Sequence, residues 1–390
     1  MRVVVLVLAL GACGSHVHTN GDDVGGPDAA TGDPCTGSET RCAGTTYQTC
    51  VDGTFQTQDS CTDLCSETLG CIQCDPAGGN ACNGSSVVTC NPDGTFGTTV
   101  STCGTGQMCN LGTCMNACTA DGVDLVYVVD EQNDFMSFDP RKLPGDPFTL
   151  IGTLSCPTQG PSIQTGNGTV MPFSMSVDRD GVAWVLYTSG ELFKVSLQDA
   201  SCTAAGNTVN AGGMALFGMG FVTDTSGGDT EKLYLAGGNN DPSASPKKLA
   251  YDDTHGGNLT PVASGTITAT PAQFSPELTG TSEAKLYGFF PNLSQVAYVQ
   301  EINKADGTPV GNTFPLGSTG LGANINDWAF AQWGGTFYIF VTTSDASGGN
   351  RNSTVRTIDR MTGQYQTILQ NLPYYIDGAG VSTCAPVTIQ

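Results

Sequence analysis

The seventeen cysteines of this 390-residue chain constrain its fold more than any other feature of the sequence. Thirteen of them lie between Cys35 and Cys118, three are scattered through the long second half, and one, Cys13, lies near the amino terminus. Clustered cysteines are typical of proteins in oxidising compartments, where disulfides compensate for a small hydrophobic core. An odd total leaves one cysteine over, so we expect sixteen of them to form disulfides.

The cysteine-rich segment contains a repeat. The gaps between cysteines run 6, 7, 10, 3, 5 and 2 from Cys35, and 7, 7, 12, 5, 4 and 3 from Cys74. Both copies carry an Asp-Gly-Thr-Phe turn after their third cysteine, at residues 52–55 and 93–96, which predicts a β-hairpin. We therefore expect two small modules, residues 35–73 and 74–118, each too short to fold on a hydrophobic core alone.

Each module has six cysteines and so supplies three disulfides, but sequence alone does not choose among the fifteen possible pairings. The twelve cysteines are Cys35, Cys42, Cys50, Cys61, Cys65 and Cys71, followed by Cys74, Cys82, Cys90, Cys103, Cys109 and Cys114. With this spacing the modules resemble the cysteine-rich repeats of many exported lipoproteins of myxobacteria and their relatives. The resemblance covers about a fifth of the chain and implies spacer or adhesion modules.

The amino terminus has the features of an export signal. A basic start is followed by an apolar run, Val3 to Leu10, that is too short to span a bilayer, and by the small residues Gly11 and Ala12. Residues 10–13, Leu-Gly-Ala-Cys, match the lipobox of bacterial lipoproteins. This resemblance implies that a signal peptide, residues 1–12, is removed and that Cys13 carries a lipid. The alternative is ordinary secretion with cleavage between Ala9 and Ala12, leaving Cys13 as a free thiol.

Residues 13–34 are rich in Gly, Asp, Thr and Ala and contain almost no apolar side chains, so we expect a disordered tether behind the lipidated cysteine. A lipid at Cys13 would anchor the protein to a membrane that it does not cross. We therefore expect a protein of the bacterial cell envelope, anchored in the outer membrane and facing the periplasm or the cell surface.

The second half, residues 119–390, predicts an all-β domain. Short strands separated by Gly, Pro and Asp form a meander at residues 173–195, and similar meanders recur about every 45–55 residues. The pattern predicts a β-propeller of five blades, or of six if insertions hide another blade. Regularly alternating amphipathic helices are absent, which excludes an α/β barrel. The first strands of the predicted blades are 173–177, 217–221, 271–275, 326–330 and 376–380.

The two ends of this domain complement each other. Leu125 to Val129 has the pattern of a second strand, and residues 376–381 have that of a first strand with nothing after it. Together they would complete one blade and close the ring, which removes exposed sheet edges. We accordingly predict a Cys118–Cys384 disulfide across this seam and a Cys156–Cys202 disulfide between adjacent blades. A shuffled arrangement such as Cys156–Cys384 is the alternative.

Two carboxylates are candidate ligand-binding residues. In the strand alignment Asp327 and Asp377 take the position that Ser174 and Gly218 hold elsewhere, near the start of the innermost strands. They would then face one mouth of the central channel together with the neighbouring Asn326 and Trp328, as a site for a cation or a sugar. The alternative is that these carboxylates only form turns at the strand starts.

Asp178 and Asp180 form a weaker candidate metal site. Asp178-x-Asp180-Gly resembles part of a calcium loop, but the glutamate that completes such a loop is missing and the sequence also suits a hairpin turn. We expect no cofactor, with Ca²⁺ possible. Only three histidines occur, His16, His18 and His255, which argues against a Ser-His-Asp triad or a multi-histidine metal site.

The charge limits the partners. A net charge of −22 opposes binding to nucleic acid and to anionic membrane surfaces. The lipid alone would therefore attach the protein to the membrane. Three functions remain open. The first is an anchored binding, adhesion or scaffold protein that presents propeller loops to a protein or polysaccharide. The second is an extracellular propeller hydrolase or lyase that acts on glycans through channel-mouth carboxylates, and the third is a purely structural envelope protein.

We predict that protein extracted from membranes has a mature amino terminus at Cys13 with the mass of a triacylated cysteine. Intact-mass spectrometry measures this directly, and the Cys13→Ser variant should lose membrane association. An unmodified terminus upstream of Cys13 would contradict lipidation.

Overall fold

The computed structural model describes residues 34–388 except 44–45, 105–106, 111, 117, 165–167, 239–246, 254–259, 268–275, 293–295, 318–320 and 322–323. The lipidation site, the tether up to residue 33 and all three histidines lie outside this range. The described part is built from thirty β-strands and two short 3₁₀ helices, Pro140–Lys142 and Ala211–Gly213. We find no helix among the described residues with the length and hydropathy needed to span a bilayer. The all-β prediction is confirmed.

The first cysteine-rich repeat contains a three-stranded antiparallel sheet and a two-stranded one. Its strands are β1 (Thr40–Ala43), β2 (Thr46–Val51), β3 (Thr54–Ser60), β4 (Leu64–Ser66) and β5 (Gly70–Ile72). The predicted Asp52-Gly53 turn joins β2 to β3, and Gly53 takes the positive φ of +82° that this tight turn requires. The contacts within the chain separate a compact unit that ends at Cys71 from a second one that begins at Ile72.

The second repeat has the same design. Its strands are β6 (Asn80–Asn83), β7 (Ser86–Cys90), β8 (Phe96–Thr102), β9 (Gln107–Asn110) and β10 (Thr113–Asn116). In both repeats the first cysteine bonds the third, the second bonds the fifth and the fourth bonds the sixth. The six disulfides are Cys35–Cys50, Cys42–Cys65, Cys61–Cys71, Cys74–Cys90, Cys82–Cys109 and Cys103–Cys114. A common pairing in two copies of different sequence shows that the cysteine spacing is a structural repeat.

Residues 126–381 form five four-stranded antiparallel sheets, which we call blades 1 to 5 in chain order. Blade 1 contains β11 (Val126–Asp130), β12 (Asp134–Phe138) and β13 (Phe148–Thr153), and its innermost strand is the last in the chain, β30 (Ile376–Val381). Blade 2 contains β14 (Pro172–Val177), β15 (Val182–Tyr187), β16 (Leu192–Ser196) and β17 (Cys202–Ala204). Blade 3 contains β18 (Leu216–Thr223), β19 (Glu231–Gly238), β20 (Lys247–Asp252) and β21 (Thr260–Ile267). Blade 4 contains β22 (Glu277–Gly280), β23 (Leu286–Phe290), β24 (Tyr298–Ile302) and β25 (Pro309–Pro315). Blade 5 contains β26 (Asn324–Trp333), β27 (Thr336–Ser344), β28 (Asn352–Asp359) and β29 (Tyr365–Gln370).

The five innermost strands form a ring. Each of β14, β18, β22 and β26 contacts the next, and β30 contacts both β26 and β14. Alternating apolar side chains fill all five spaces between blades, because successive strand residues point to opposite faces. In β11, for example, Val126 and Val128 pack toward blade 5, whereas Tyr127 and Val129 pack toward blade 2. The other three interfaces have their own buried clusters, so the hydrophobic core of the propeller is distributed around the ring.

The centre of the ring is packed tightly. A Cβ at Gly218 would lie 2.2 Å from the carbonyl oxygen of Pro276, and one at Gly380 would lie 2.6 Å from Cα of Ser176. Only glycine allows neighbouring backbones to approach this closely. Neighbouring innermost strands are therefore in direct backbone contact at these levels.

Most predicted strands lie within one or two residues of the observed ones. The predicted first strand of blade 4, Pro271–Ser275, lies outside the described residues, and the innermost strand of that blade is β22 at Glu277–Gly280. Because the strand was predicted at residues 271–275, Glu277 was not predicted to face the central channel. The consequence for the site is described below.

Two disulfides lie in the propeller. Cys118 bonds Cys384, and the sequence separation of 266 residues brings the segment before blade 1 onto the end of β30. Cys156 bonds Cys202 over a separation of 46 residues, which connects the segment after β13 of blade 1 to β17 of blade 2. At the junction that the Cys118–Cys384 disulfide closes, β30 pairs with β11 along five residues.

We predict that the paired substitution Cys118→Ser with Cys384→Ser lowers the free energy of unfolding by about 5 kcal/mol, because the unfolded chain regains the entropy of a very long loop. The matched pair Cys156→Ser with Cys202→Ser should lower it by about 4 kcal/mol, since its loop is shorter. Urea denaturation of the oxidised proteins measures both effects. A loss under about 1 kcal/mol for the first pair would show that the seam does not depend on its covalent link.

Candidate functional site

The five innermost strands all begin at one end of the ring, which we call the mouth. The blades share the same strand order and are arranged around one axis, so their innermost strands run in the same direction. In an antiparallel blade, the turn between the second and third strands lies at the end where the first strand begins. The mouth is therefore formed by these strand starts and by turns such as residues 131–133 and 345–351.

Two β-bulges shape the mouth. In β26, Ile325 pairs with Thr343 and Asp327 with Thr342, which leaves Asn326 as the extra residue. In β30, Ile376 and Gly378 pair with successive residues of β11, which leaves Asp377 as the extra residue. A bulge bends its strand and redirects side chains near it. The bulges bring the carboxyl groups of Asp327 and Asp377, on adjacent strands, into a direct hydrogen bond.

Arg351 connects this carboxyl pair to blade 1. Its guanidinium donates to both oxygens of Glu131, with a distance of 2.8 Å from Nη1 to Oε2, and Nη2 also donates to Oδ2 of Asp327 at 2.6 Å. The guanidinium carbon lies 3.8 Å from the centre of the Tyr375 ring, in cation–π geometry. The arginine is held by Glu131 in a bidentate contact, the strongest geometry for such a pair.

Negative charge exceeds positive charge in this cluster. Two carboxyl groups, those of Glu131 and Asp327, contact the guanidinium of Arg351, and two more, those of Asp377 and Asp130, lie close enough to interact with this group of charges. We call these five residues the mouth cluster. Asp130 also accepts two backbone N–H groups of its own turn, from Gln132 and Asp134, each at 2.9 Å.

Burial raises the carboxyl pKa values in the mouth cluster. It raises the pKa of Asp327 to about 6, with help from the charge of Glu131 and against the effect of Arg351. It raises the pKa of Asp130 to about 6 as well. Burial and then repulsion from Asp327 raise the pKa of Asp377 well above its usual value. The hydrogen bond between the two carboxyl groups favours the protonated form of Asp377 and the ionised form of Asp327.

One oxygen of Asp377 is left over. Its Oδ2 is buried and has no hydrogen-bond partner among the described residues, and the same holds for Nε of Arg351. An unpaired buried polar atom costs about 1–3 kcal/mol, so native proteins keep few of them. Apart from the contact between Asp327 and Asp377, no hydrogen bond of the described residues satisfies these two buried atoms.

The structure separates the other residues predicted for this site. Asn326 is exposed beside Asp327. Trp328 packs against the hydrophobic cluster between blades 4 and 5, on the face of β26 opposite to Asp327. The predicted four-residue site therefore reduces to its two carboxylates, joined by residues that the sequence did not indicate.

Asp178 and Asp180 lie at the other end of the ring. The carboxylate of Asp178 accepts from the backbone of Asp180 at 3.0 Å and of Val182 at 2.9 Å, and from Nε1 of Trp184 at 2.9 Å. Asp180 is exposed. These hydrogen bonds stabilise a hairpin turn, and a cation bound to Asp178 would have to break them. Within the described ranges no group of three or more potential metal ligands occurs.

Four residues near the mouth were not among the predicted site residues: Arg351, Glu131, Tyr375 and Glu277. Glu277 extends from the start of β22 past Gly218 and accepts the hydroxyl of Ser174 at 2.8 Å, so it links two innermost strands that are not neighbours. Burial raises its pKa well above the usual value. Neither Glu277 nor Arg351 has a local sequence signal that points to this position.

Comparisons with known proteins add little to this geometry. No protein-family model matches the sequence, and no curated protein matches it. Among solved structures, the chain is similar to a chain of the nidogen/laminin complex, with a TM-score of 0.37 and 11% identity, covering 67% of this chain and 99% of that one. It is also similar to an endo-arabinase from Bacteroides thetaiotaomicron, with a TM-score of 0.37 and 12% identity, covering 54% and 83%. For the Dos1 propeller the TM-score is 0.33 and the identity 14%, covering 77% and 79%. At these values the similarities carry no argument about a ligand or a reaction.

We predict that Asp377→Asn stabilises the protein at pH 8 and changes its stability little at pH 4. A carboxyl group whose pKa is higher in the folded state stabilises the fold most at pH values below its unfolded-state pKa of about 4. This stabilisation is lost as the pH rises through the folded-state pKa. The amide donates to Asp327 as the neutral carboxyl does, but it never ionises. The gain at pH 8 should be about 1–3 kcal/mol, measured by urea denaturation at both pH values.

The control is Asp345→Asn, in the turn at residues 345–351 of the mouth. Asp345 accepts the backbone N–H groups of Ser347 and Gly349, and its hydrogen bond with the Ser347 hydroxyl is the main reason that its pKa is lowered. Its contribution therefore has the opposite sign: it is present at neutral pH and lost in acid. Equal pH profiles for the two variants would contradict this account of the mouth cluster.

Proposed function

We propose that this chain is an exported lipoprotein of the bacterial cell envelope whose propeller binds a ligand, on a protein or a polysaccharide, at the mouth. The disulfides support export. Eight disulfides use sixteen of the seventeen cysteines, and the remaining one is Cys13, the predicted lipidation site. Such extensive oxidation indicates an extracellular or envelope-exposed protein.

The attachment of the chain to the ring supports a role for the mouth. Cys118, the last cysteine before blade 1, bonds Cys384 just beyond the end of β30. The innermost strands end on the side opposite to the mouth. The segment directly before blade 1 is therefore bonded to the ring at the end opposite to the mouth.

The hydrogen bond between Asp327 and Asp377 is the observation that favours binding over hydrolysis. Glycosidases place their two carboxyl groups about 5–5.5 Å apart when they retain configuration and about 6.5–9.5 Å apart when they invert it. Two carboxyl groups in direct hydrogen-bond contact leave no room between them for a glycosidic bond or a water molecule. In this geometry the pair can hold a ligand group but cannot act from both sides of a sugar.

The test compares the full chain, purified in detergent, with the variant that carries both Asp327→Asn and Asp377→Asn, on glycan and peptide arrays made from envelope material. We expect the wild type to retain one ligand class and the double variant to lose at least about tenfold in affinity, which corresponds to 1.4 kcal/mol. Asp199→Asn, in the exposed turn between β16 and β17 at the far end, is the matched control and should bind as the wild type does.

Three outcomes would contradict the proposal. Equal binding by the double variant would exclude the mouth as the site. Release of glycan fragments by the wild type, but not by the double variant, would favour the hydrolase. Absence of any retained ligand would favour a purely structural envelope protein.

A further inference from the structure

We propose that the disulfides of this chain carry mechanical load, so that tension between the membrane anchor and a ligand at the mouth leaves the ring closed. This inference rests on the proposed anchoring and binding, and it adds resistance to force as a further role. It follows from the covalent routes through the two repeats, from the bond between Cys118 and Cys384, and from the contacts of the residues beside that bond.

Two separate covalent routes cross the first repeat. One uses the disulfide Cys42–Cys65, with seven residue steps before it from Cys35 and six after it to Cys71, which makes 13. The other uses Cys35–Cys50 and Cys61–Cys71, with 11 steps between Cys50 and Cys61. The chain itself takes 36 steps from the first cysteine to the sixth. Tension therefore cannot unravel this repeat, and the loss of any one disulfide leaves a short route intact.

The second repeat has the same redundancy. The disulfide Cys82–Cys109 leaves eight steps before it and five after it, which makes 13. Cys74–Cys90 and Cys103–Cys114 together leave 13 steps as well, whereas the chain takes 40. Stabilisation through chain entropy depends on loop length and does not require two routes across one module. The overlap of the disulfide loops is therefore the feature that points to tension.

The bond Cys118–Cys384 divides the load between two strands as it reaches the ring. The first residue of β11, Val126, pairs with the last residue of β30, Val381, so both strands meet a pull on Cys118 at the same end. Without the bond, β11 alone would be drawn out from between β12 and β30. With the bond, β30 is pulled in the same direction, and its contacts with β26 and β14 also resist.

Hydrogen bonds beside the two cysteines pass the load to further blades. Before β11, the carbonyl oxygen of Asp124 accepts Nε1 of Trp333 in blade 5 at 2.6 Å. After β30, the hydroxyl of Thr383 donates to Glu231 of blade 3 at 2.6 Å and accepts Nη1 of Arg179 in blade 2 at 3.2 Å. The residues at which tension enters the ring are thus bonded to three blades besides blade 1.

The test is single-molecule stretching of the full mature chain at constant load. Export with a signal peptide that lacks the lipobox leaves the thiol of Cys13 free for one attachment, at the position where the lipid would pull. An azido amino acid in place of the exposed Ala346, in the turn at residues 345–351 of the mouth, takes the other attachment. These attachments replace the lipid and the ligand, so the measurement requires neither. The readout is the lifetime of the closed ring.

The decisive variant is Cys118→Ser with Cys384→Ser. It should shorten the lifetime under load at least about tenfold, because forced unfolding follows the rate of unfolding and β11 then carries the load alone. Cys156→Ser with Cys202→Ser is the matched control, since it removes a disulfide of similar stabilising effect that joins blades 1 and 2 away from the load. The control should change the lifetime less than about threefold. A wild-type lifetime in the first variant, or equal shortening in both, would overturn the inference.

A second measurement keeps the disulfides of the ring intact. Cys13→Ser with Asp121→Cys moves the first attachment to an exposed position between Cys118 and β11. The pull then reaches β11 directly and bypasses the bond to β30, so the lifetime should fall at least about tenfold. An unchanged lifetime would show that the bond does not divide the load, even if the paired serine variant fails to fold.

The redundancy of the first repeat has its own readout, the length of the chain under load. Removal of Cys42–Cys65 by two serine substitutions should add no length, because the route through the other two disulfides still takes 11 steps. Further removal of Cys35–Cys50 should leave 26 steps, from Cys35 to Cys61, and lengthen the chain by about 50 Å at roughly 3.3–3.6 Å per step. Lengthening by the first change alone would contradict the two routes.

This inference and the binding function can fail separately. If the lifetime is the same in every variant while an array ligand is retained at the mouth, load bearing is wrong and the binding function stands. If the lifetimes change as expected but the arrays retain no ligand, the binding function is wrong and the load-bearing bond belongs to a structural envelope protein.

Discussion

The pairing of β30 with β11 is the interaction on which the rest of the propeller depends. Without the last strand, blade 1 would lack its innermost strand, and two interfaces between blades would be incomplete. Ile376, Ala379 and Val381 of β30 are all buried in the cluster between blades 1 and 5. Bringing together strand ends about 250 residues apart costs roughly 5 kcal/mol of chain entropy. The Cys118–Cys384 disulfide offsets a cost of this size, because it keeps the two ends together in the unfolded chain as well.

Polar contacts at both ends of β30 add directional specificity to this seam. At the far end, Glu231 accepts the hydroxyl of Thr383 at 2.6 Å and the backbone N–H of Arg179 at 2.8 Å. Burial raises the pKa of Glu231 to about 7. At the mouth, Asp377 contacts Asp327 of blade 5. A one-residue slip of β30 would break both sets of contacts and would also exchange the buried and exposed faces of the strand. The seam therefore has one register, although it is the junction most distant in sequence.

The features that local sequence pattern could predict are those set by local rules. Cysteine spacing, Asp-Gly turns and alternating apolar residues identified the two repeats and most strands of the propeller. The position of Asp327 and Asp377 at one mouth followed from aligning strand starts. Arg351 and Glu131 could not be predicted, because they are 220 residues apart in sequence and meet only when blade 5 closes against blade 1. The bulges at Asn326 and Asp377 were also not predictable, since a bulge depends on the register of the partner strand.

Buried carboxyl groups have different hydrogen-bond and ion-pair partners at the two ends of the ring. This difference is the strongest reason to assign a function to the mouth. At the far end Glu231 has a donor for each oxygen, and Glu283 has Arg360. At the mouth, Glu131 and Asp327 share the guanidinium of Arg351, and Asp377 contacts Asp327 without an ion pair to any cation of the described residues. Replacing such groups with apolar or amide side chains would remove a cost in stability, as it would for many buried charges. A buried carboxyl retained at such a cost is typical of functional positions, because selection for stability alone would remove it.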